Sequence, residues 1–305
     1  MSRSFDITVP DDVRHTLLSR LDAVPGVIGI RVQPGASVKP PGDLVTVSVT
    51  NEGARALAHV LADMKVLRRG GVSISEPTAI RSGDADSEIV SEGNEAIWEE
   101  MAALLRRDTN ISLNFLALMG LSGVIAGAGL YTDTLHIVVG AMLLAPGFEP
   151  FLRVVFGLVS RSGHTVRTGL MAVALGYALL AGGAAAGALA LYLLGEHPPA
   201  DLTSRGGVLF WTTLNPSGVL VALAAGTAGA IVVSSRRTVF AAGVMVALAL
   251  VPSASLVGMG LVLGQPDIAL QGLGRWSVEV ACVLLAGAVV MGAKRATLHA
   301  RPLLR

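Results

Sequence analysis

The chain has 305 residues, of which 15% are charged and 52% hydrophobic, with a formal net charge of +1. That length leaves room for two domains, and a near-neutral chain with no basic face interleaved with aromatics excludes nucleic acid as the expected partner. One cysteine, Cys282, lies inside an apolar run, so neither a disulfide framework nor a thiolate metal site is expected, and no motif for a cofactor appears.

The first 75 residues alternate strand and helix. Phe5–Val9 alternates as a strand, Pro10 and two aspartates open a helix through Leu21, and Val27–Gln33 is a second strand. Pro34–Gly42 reads as a loop and Leu44–Thr50 as a third strand. Glu52–Arg69 reads as a helix closed by Gly70-Gly71, and Val72–Ser75 as a fourth strand. The order β-α-β-β-α-β predicts a ferredoxin-like α+β domain over residues 1–80, expected in the cytoplasm because no signal segment precedes Phe5. Arg68-Arg69-Gly70-Gly71 is explained by helix capping before phosphate binding, and no nucleophile–base pair appears, so no enzymatic activity is expected.

Residues 81–110 form a polar linker and then an amphipathic helix, with Val90, Ile97, Met101 and Leu104 at helical spacing and Arg106-Arg107 at its end. Six apolar spans follow within residues 111–293: Asn114–Tyr131, Leu135–Val159, Gly169–Leu194, Ser217–Val233, Val239–Leu263 and Ile268–Gly292. Each is near the roughly 20 residues that a bilayer core requires. With the N-terminus inside, Arg106, Arg107, Arg161, Arg167, Arg236, Arg237, Lys294, Arg295, Arg301 and Arg305 fall on the cytoplasmic side, and only Arg205 and Arg275 fall outside. The expected class is therefore a membrane all-α bundle of six transmembrane helices in the cytoplasmic (inner) membrane. Both termini are expected in the cytoplasm, with residues 294–305 as a basic tail. The apolar stretch Gly206–Leu214, between the third and fourth spans, is too short to cross and is expected at the interface or as a re-entrant piece.

The halves resemble each other. Leu116-Ala-Leu matches Val221-Ala-Leu, and Gly140-Ala-Met with Pro146 matches Gly243-Val-Met with Pro252, at an offset of about a hundred residues that drifts by a few. Three spans per half make the second half inverted, a 3+3 inverted repeat. Helix rise puts Pro146 about 18 Å in from one face and Pro252 about 21 Å in from the other, so two interrupted spans meet at corresponding depths. Such pairs mark binding sites in transporters, whereas proline kinks that merely shape a bundle are the plainer alternative.

Val138-Val-Gly-Ala-Met-Leu-Leu-Ala-Pro-Gly-Phe-Glu-Pro150, Val219–Gly229 and Gly243–Pro252 resemble the DUF389 family of prokaryotic hydrophobic membrane proteins, over roughly residues 110–292. The resemblance implies a small soluble domain joined to a membrane domain and supplies no substrate.

The candidate solute or ion site comprises Gly140, Met142, Pro146, Gly147, Glu149 and Pro150 of the second span with Gly243, Met245, Pro252, Ser253 and Ser255 of the fifth. Glu149 is an intramembrane carboxylate, either a proton or cation site or the partner of Arg153 one turn on. Glu279 and Arg275 read first as an interfacial ion pair. The leading expectation is a secondary transporter or channel for a small solute or ion, homo-oligomeric in the lipid bilayer, with a cytosolic regulatory or assembly domain. A membrane scaffold or sensor whose soluble domain binds a ligand or partner is the alternative.

Overall fold

The computed structural model describes residues 3–75, 98–196, 202–235, 244 and 248–298. They fall into two compact units that divide between Glu99 and Glu100.

The first unit is a small antiparallel sheet with helices. Its strands are β1 (Arg3–Val9), β2 (Val27–Val38), β3 (Pro41–Val49) and β4 (Gly71–Ser75), in the order β2-β3-β1-β4. Alternation sends Phe5, Ile7 and Val9 of β1 and Val45, Val47 and Val49 of β3 to one face. There they bury against Leu17 and Leu21 of α1 (Asp11–Leu21) and Leu57 and Leu61 of α2 (Asn51–Asp63). Thr50 caps α2, its hydroxyl accepting from the Gly53 N–H at 3.2 Å. Asp43 holds the β2–β3 turn to α1. It accepts from the Gly35 N–H at 2.7 Å and from Arg14 Nη1 at 2.8 Å, and these two interactions hold its carboxyl below its ordinary value.

Several expected boundaries move, and β3 begins at Pro41, inside the expected loop, instead of at Leu44. β2 continues through Pro34 to Val38 instead of ending at Gln33, with register shifts between Val27 and Gly29 and between Gln33 and Ser37. An edge strand accommodates a proline because that side of the ladder asks for no N–H. α2 ends at Asp63, six residues before Arg69, and Lys65 turns the chain with a φ of 53°. Gly70 is required for close approach, since a Cβ there would stand 2.0 Å from the Thr8 carbonyl oxygen.

The second unit is helical. After α3 (Trp98–Asp108), which buries Met101 and Leu105, come α4 (Leu113–Tyr131), α5 (Leu135–Leu144), α6 (Glu149–Ser160) and α7 (Gly163–Leu193). They are followed by the short α8 (Gly206–Thr212), α9 (Pro216–Ser234), α10 (Leu250–Val262) and α11 (Pro266–Leu298). The first half of the expected amphipathic helix, residues 88–97, lies outside the described residues. Four of the described helices, α4, α7, α9 and α11, are long and apolar enough to cross a membrane, and a fifth span is made if α5 and α6, bent by 43°, count as one. α10 is apolar but shorter. The expected second span is therefore broken at Ala145–Phe148. Pro146 cannot donate to an α5 carbonyl, and Pro150 suits the first turn of α6, where no donor is needed.

The long helices meet through glycine and alanine. A Cβ on Gly123 would stand 2.0 Å from the Leu180 carbonyl oxygen and one on Gly183 2.1 Å from that of Gly120, so α4 and α7 lie backbone against backbone. Positions 103 apart behave alike. α4 opens at Leu113 and closes at Tyr131, and α9 opens at Pro216 and closes at Ser234. Ser112 caps the Phe115 N–H and Asn215 caps that of Gly218. α7 begins at Gly163 and α11 at Pro266, after the left-handed residues Arg161 and Gly264. Contacts keep the same spacing. A Cβ on Gly157 would stand 2.7 Å from the Val166 nitrogen, and one on Gly260 2.8 Å from that of Ala269. Gly169 faces Pro150 and Val154 as Gly272 faces Ser253 and Val257. α6 packs on α7 as α10 packs on α11, and α10 reaches α7 as α6 reaches α11.

Candidate functional site

Among the described residues, α6, after its break from α5, and α10 begin in the interior of the unit. Residues Pro150–Gly157 of α6 and Leu250–Leu256 of α10 are buried throughout. At each beginning the first N–H groups lack intrahelical partners and carry the positive end of the helix dipole. A carboxylate stands near each. Glu149 is the first residue of α6, and Glu279 of α11 lines one cavity with Ala249, immediately before α10.

An aromatic trio stands beside the break. Tyr177 of α7 donates through its hydroxyl to the Gly147 carbonyl at 3.2 Å. Its ring lies 5.2 Å from Trp276 and 5.5 Å from Phe151, centroid to centroid. Offset and tilted ring contacts of this kind hold aromatic side chains in fixed orientation.

Arg275 and Glu279, one turn apart on α11, form an ion pair of 3.1 Å whose side chains are 8% and 7% exposed. The pair is thus buried within the helical unit. Burial of two charges is tolerated because Arg275 makes further bonds: Nη1 donates to the Phe210 carbonyl and, at 2.9 Å, to that of Thr213, while the guanidinium lies 5.3 Å from the Phe210 ring centroid. These carbonyls belong to the C-terminal end of α8. The other end of α8 is held by Asp133, whose Oδ1 accepts from the Gly207 N–H at 2.9 Å, and Gln265 Oε1 accepts from the Leu202 N–H at 3.2 Å. Beside α8 lies a cavity of about 280 Å³, with Arg275, Glu279, Met142 and Trp211 in its floor and Asn215 and Ser217 at its rim. Arg275, Glu279, Met142 and Trp211 are buried, whereas Asn215 and Ser217 are exposed together with the apolar Leu135, Phe210 and Val221, so the opening of the cavity is of mixed polarity.

Of the candidate residues named from sequence, Met142 lines this cavity. Pro146 and Gly147 form the break, and Glu149 and Pro150 open α6. Gly140 faces outward from α5 with nothing within 4 Å of a Cβ, and so stands apart from them. Pro252, Ser253 and Ser255 are buried in the first turns of α10, where the Ser255 hydroxyl donates to the Val251 carbonyl at 2.8 Å. Gly243 and Met245 lie outside the described residues. Arg153 reaches Thr109, donating to its carbonyl oxygen at 3.2 Å and its hydroxyl at 2.8 Å. Asn215 and Ser217 were missed; the only signal for them was a helix-capping pattern. Arg275 and Glu279 were visible as charges four apart in an apolar segment, but their burial is set by α8, some sixty residues away in sequence.

No group of three or more metal-ligating side chains occurs among the described residues. The chain is 24% identical over 267 residues to "Uncharacterized protein MJ0678" of Methanocaldococcus jannaschii, a match that covers 85% of this chain and 79% of that protein. No solved structure matches. The family comparison matches residues 142–285 to DUF389, a domain of unknown function. The broken helix from Met142 onward, the interior start of α10 and the charged cavity floor all fall within the matched stretch, which is the part of the chain similar to DUF389.

Proposed function

We propose that the protein is a secondary transporter or channel for a small solute or ion. It crosses the membrane six times as two inverted three-helix units, and it carries a cytosolic ferredoxin-like domain that regulates or assembles it. The observation that carries this reading is the pair of interior helix beginnings at Glu149 and Leu250, with a carboxylate at the first and a cavity lined by Ala249 and Glu279 beside the second. The constant spacing of 103 between helix ends, caps and glycine contacts supports an internal repeat. The order β2-β3-β1-β4, with α1 and α2 packed on the sheet, supports the ferredoxin-like assignment.

In this reading the cavity beside α8 receives the solute, and the trio Phe151, Tyr177 and Trp276 beside the break closes the way past it. Alternating access follows if the half-helices α6 and α10 rock against the long helices and separate those rings. No nucleotide-binding motif supplies energy, so coupling would draw on an ion gradient.

Purified protein in liposomes, loaded with a panel of protons, alkali cations and small metabolites, tests the proposal. Flux above that of empty liposomes is the expected result. A fully folded protein that leaves the vesicles tight to the whole panel refutes transport and favours a scaffold or sensor built on the soluble domain. A reporter fused after Arg305 is expected in the cytoplasm; an external signal would remove the six-span topology on which the inversion rests.

A further inference from the structure

The cavity beside α8 contains two complementary unmet polar groups. Glu279 is 5% exposed; its Oε1 accepts from Arg275 Nε, while Oε2 is buried and no donor among the described residues meets it in hydrogen-bond geometry. Arg275 spends Nε on Glu279 and Nη1 on two α8 carbonyls, leaving Nη2 without a hydrogen bond among the described residues. Nη2 stands 3.8 Å from where a Cβ on Gly218 would be, and Gly218 lines the cavity. A buried acceptor without a donor and a guanidinium nitrogen without an acceptor are thus both present in the cavity lining, and burial makes the unmet carboxylate oxygen costly.

We propose that this cavity binds a small zwitterion, its ammonium on Glu279 Oε2 and its carboxylate on Arg275 Nη2, close to the N-terminal end of α10. The assignment rests on the transport reading for its biological sense and on the cavity for its chemistry. A metal cation fits poorly, because hard cations want about six or more oxygen ligands and the floor offers a single unmet carboxylate oxygen. A lone anion meets the Glu279 charge, and an apolar solute leaves both groups unmet. The zwitterion satisfies both and keeps the site neutral. At about 30 Å³ of liquid volume per water, 280 Å³ admits a solute the size of a small amino acid. The methylene body would lie on Met142, Val139, Val221 and Trp211, and the exposed rim of Asn215 and Ser217 gives entry.

The test is binding to the full-length protein in detergent, by calorimetry and by the shift in thermal unfolding temperature. The panel is glycine, alanine and β-alanine, with methylammonium and acetate as the half-ligands and glycine betaine as a zwitterion without N–H donors. The amino acids are expected to raise the unfolding temperature saturably; methylammonium, acetate and betaine are not. Glu279→Gln and Arg275→Lys are each expected to weaken binding at least about tenfold, and Asp267→Asn, on the exposed start of α11, to leave it unchanged. The ligand panel on the parent protein decides the matter even if a variant fails to fold. Methylammonium binding as tightly as glycine would make this a cation site and overturn the proposal. No heat and no shift with any amino acid would make it a water-filled cavity and overturn it too. Binding without flux of the same amino acid in liposomes leaves the site standing and removes transport.

Discussion

Removing Arg275 and Glu279 singly and together should give energies that fail to add. In Arg275→Met the Glu279 carboxylate stays at 7% exposure with its ion-pair partner gone, and the carbonyls of Phe210 and Thr213 lose their donor. Breaking a buried pair costs about 3–5 kcal/mol in water-soluble proteins, and about 1 kcal/mol belongs to each freed carbonyl. Partners found in the unfolded, membrane-embedded state lower both figures, so about 4 kcal/mol is expected. Glu279→Leu is milder, about 2 kcal/mol, because Arg275 keeps its two carbonyls and the Phe210 ring. The double variant removes both charges at once and leaves only the carbonyls and some repacking, about 3 kcal/mol. The double variant should therefore be about 3 kcal/mol more stable than the roughly 6 kcal/mol destabilisation obtained by addition. Reversible unfolding in mixed micelles, followed by tryptophan fluorescence, measures all four proteins, and Trp276 beside the pair makes the probe local. Additivity within about 0.5 kcal/mol would show that water already screens the pair and that the cavity floor is not buried.

Gly258→Ala should destabilise the membrane unit by about 3 kcal/mol in the same assay, since its Cβ would stand 1.8 Å from the Ala181 carbonyl oxygen. Gly182→Ala, with nothing within 4 Å, should be neutral or stabilising by up to about 1 kcal/mol. Asp43→Asn should flatten the acid limb of the first unit's unfolding profile in the intact chain. The folded carboxyl lies below its ordinary value of 3.8, so its contribution is present above about pH 4 and is lost as pH falls through the lowered folded value. An unchanged acid limb, read by circular dichroism, would refute that assignment. Asp133→Asn should speed amide exchange across residues 202–213, because the Gly207 N–H loses a charged acceptor; exchange equal to the parent's would mean that α8 is held without it.

Much of the first unit was legible because period-two alternation in Phe5–Val9 and Leu44–Val49 is a direct record of which face is buried. The extension of β2 was hidden by Pro34, a residue read as a loop signal that an edge strand tolerates. The break at Pro146 was legible for the same reason that it exists, the missing N–H. The constant spacing of 103 was not. The two prolines play different parts, Pro146 within a break and Pro252 within the first turn of α10, so matching them letter to letter gives a drifting offset. Helix ends and backbone contacts keep the spacing because they are set by geometry, and geometry tolerates replacement of the side chains that a letter match needs. The Arg275–Glu279 ion pair was legible from its i, i+4 spacing, whereas its burial was not, since nothing local announces that α8 folds back over it.

The approach of α4 and α7 through Gly123, Gly127, Gly183 and Gly187 has a mechanical side. Where two backbones touch with no side chain between them, there are no rotamers to yield under load, and the pair behaves as a beam with almost no compliance. Deformation then concentrates where the chain is already interrupted, at Ala145–Phe148 and just before Leu250. Under the transport reading the beam would be the stator, and the half-helices that begin at these interruptions would be the parts that turn.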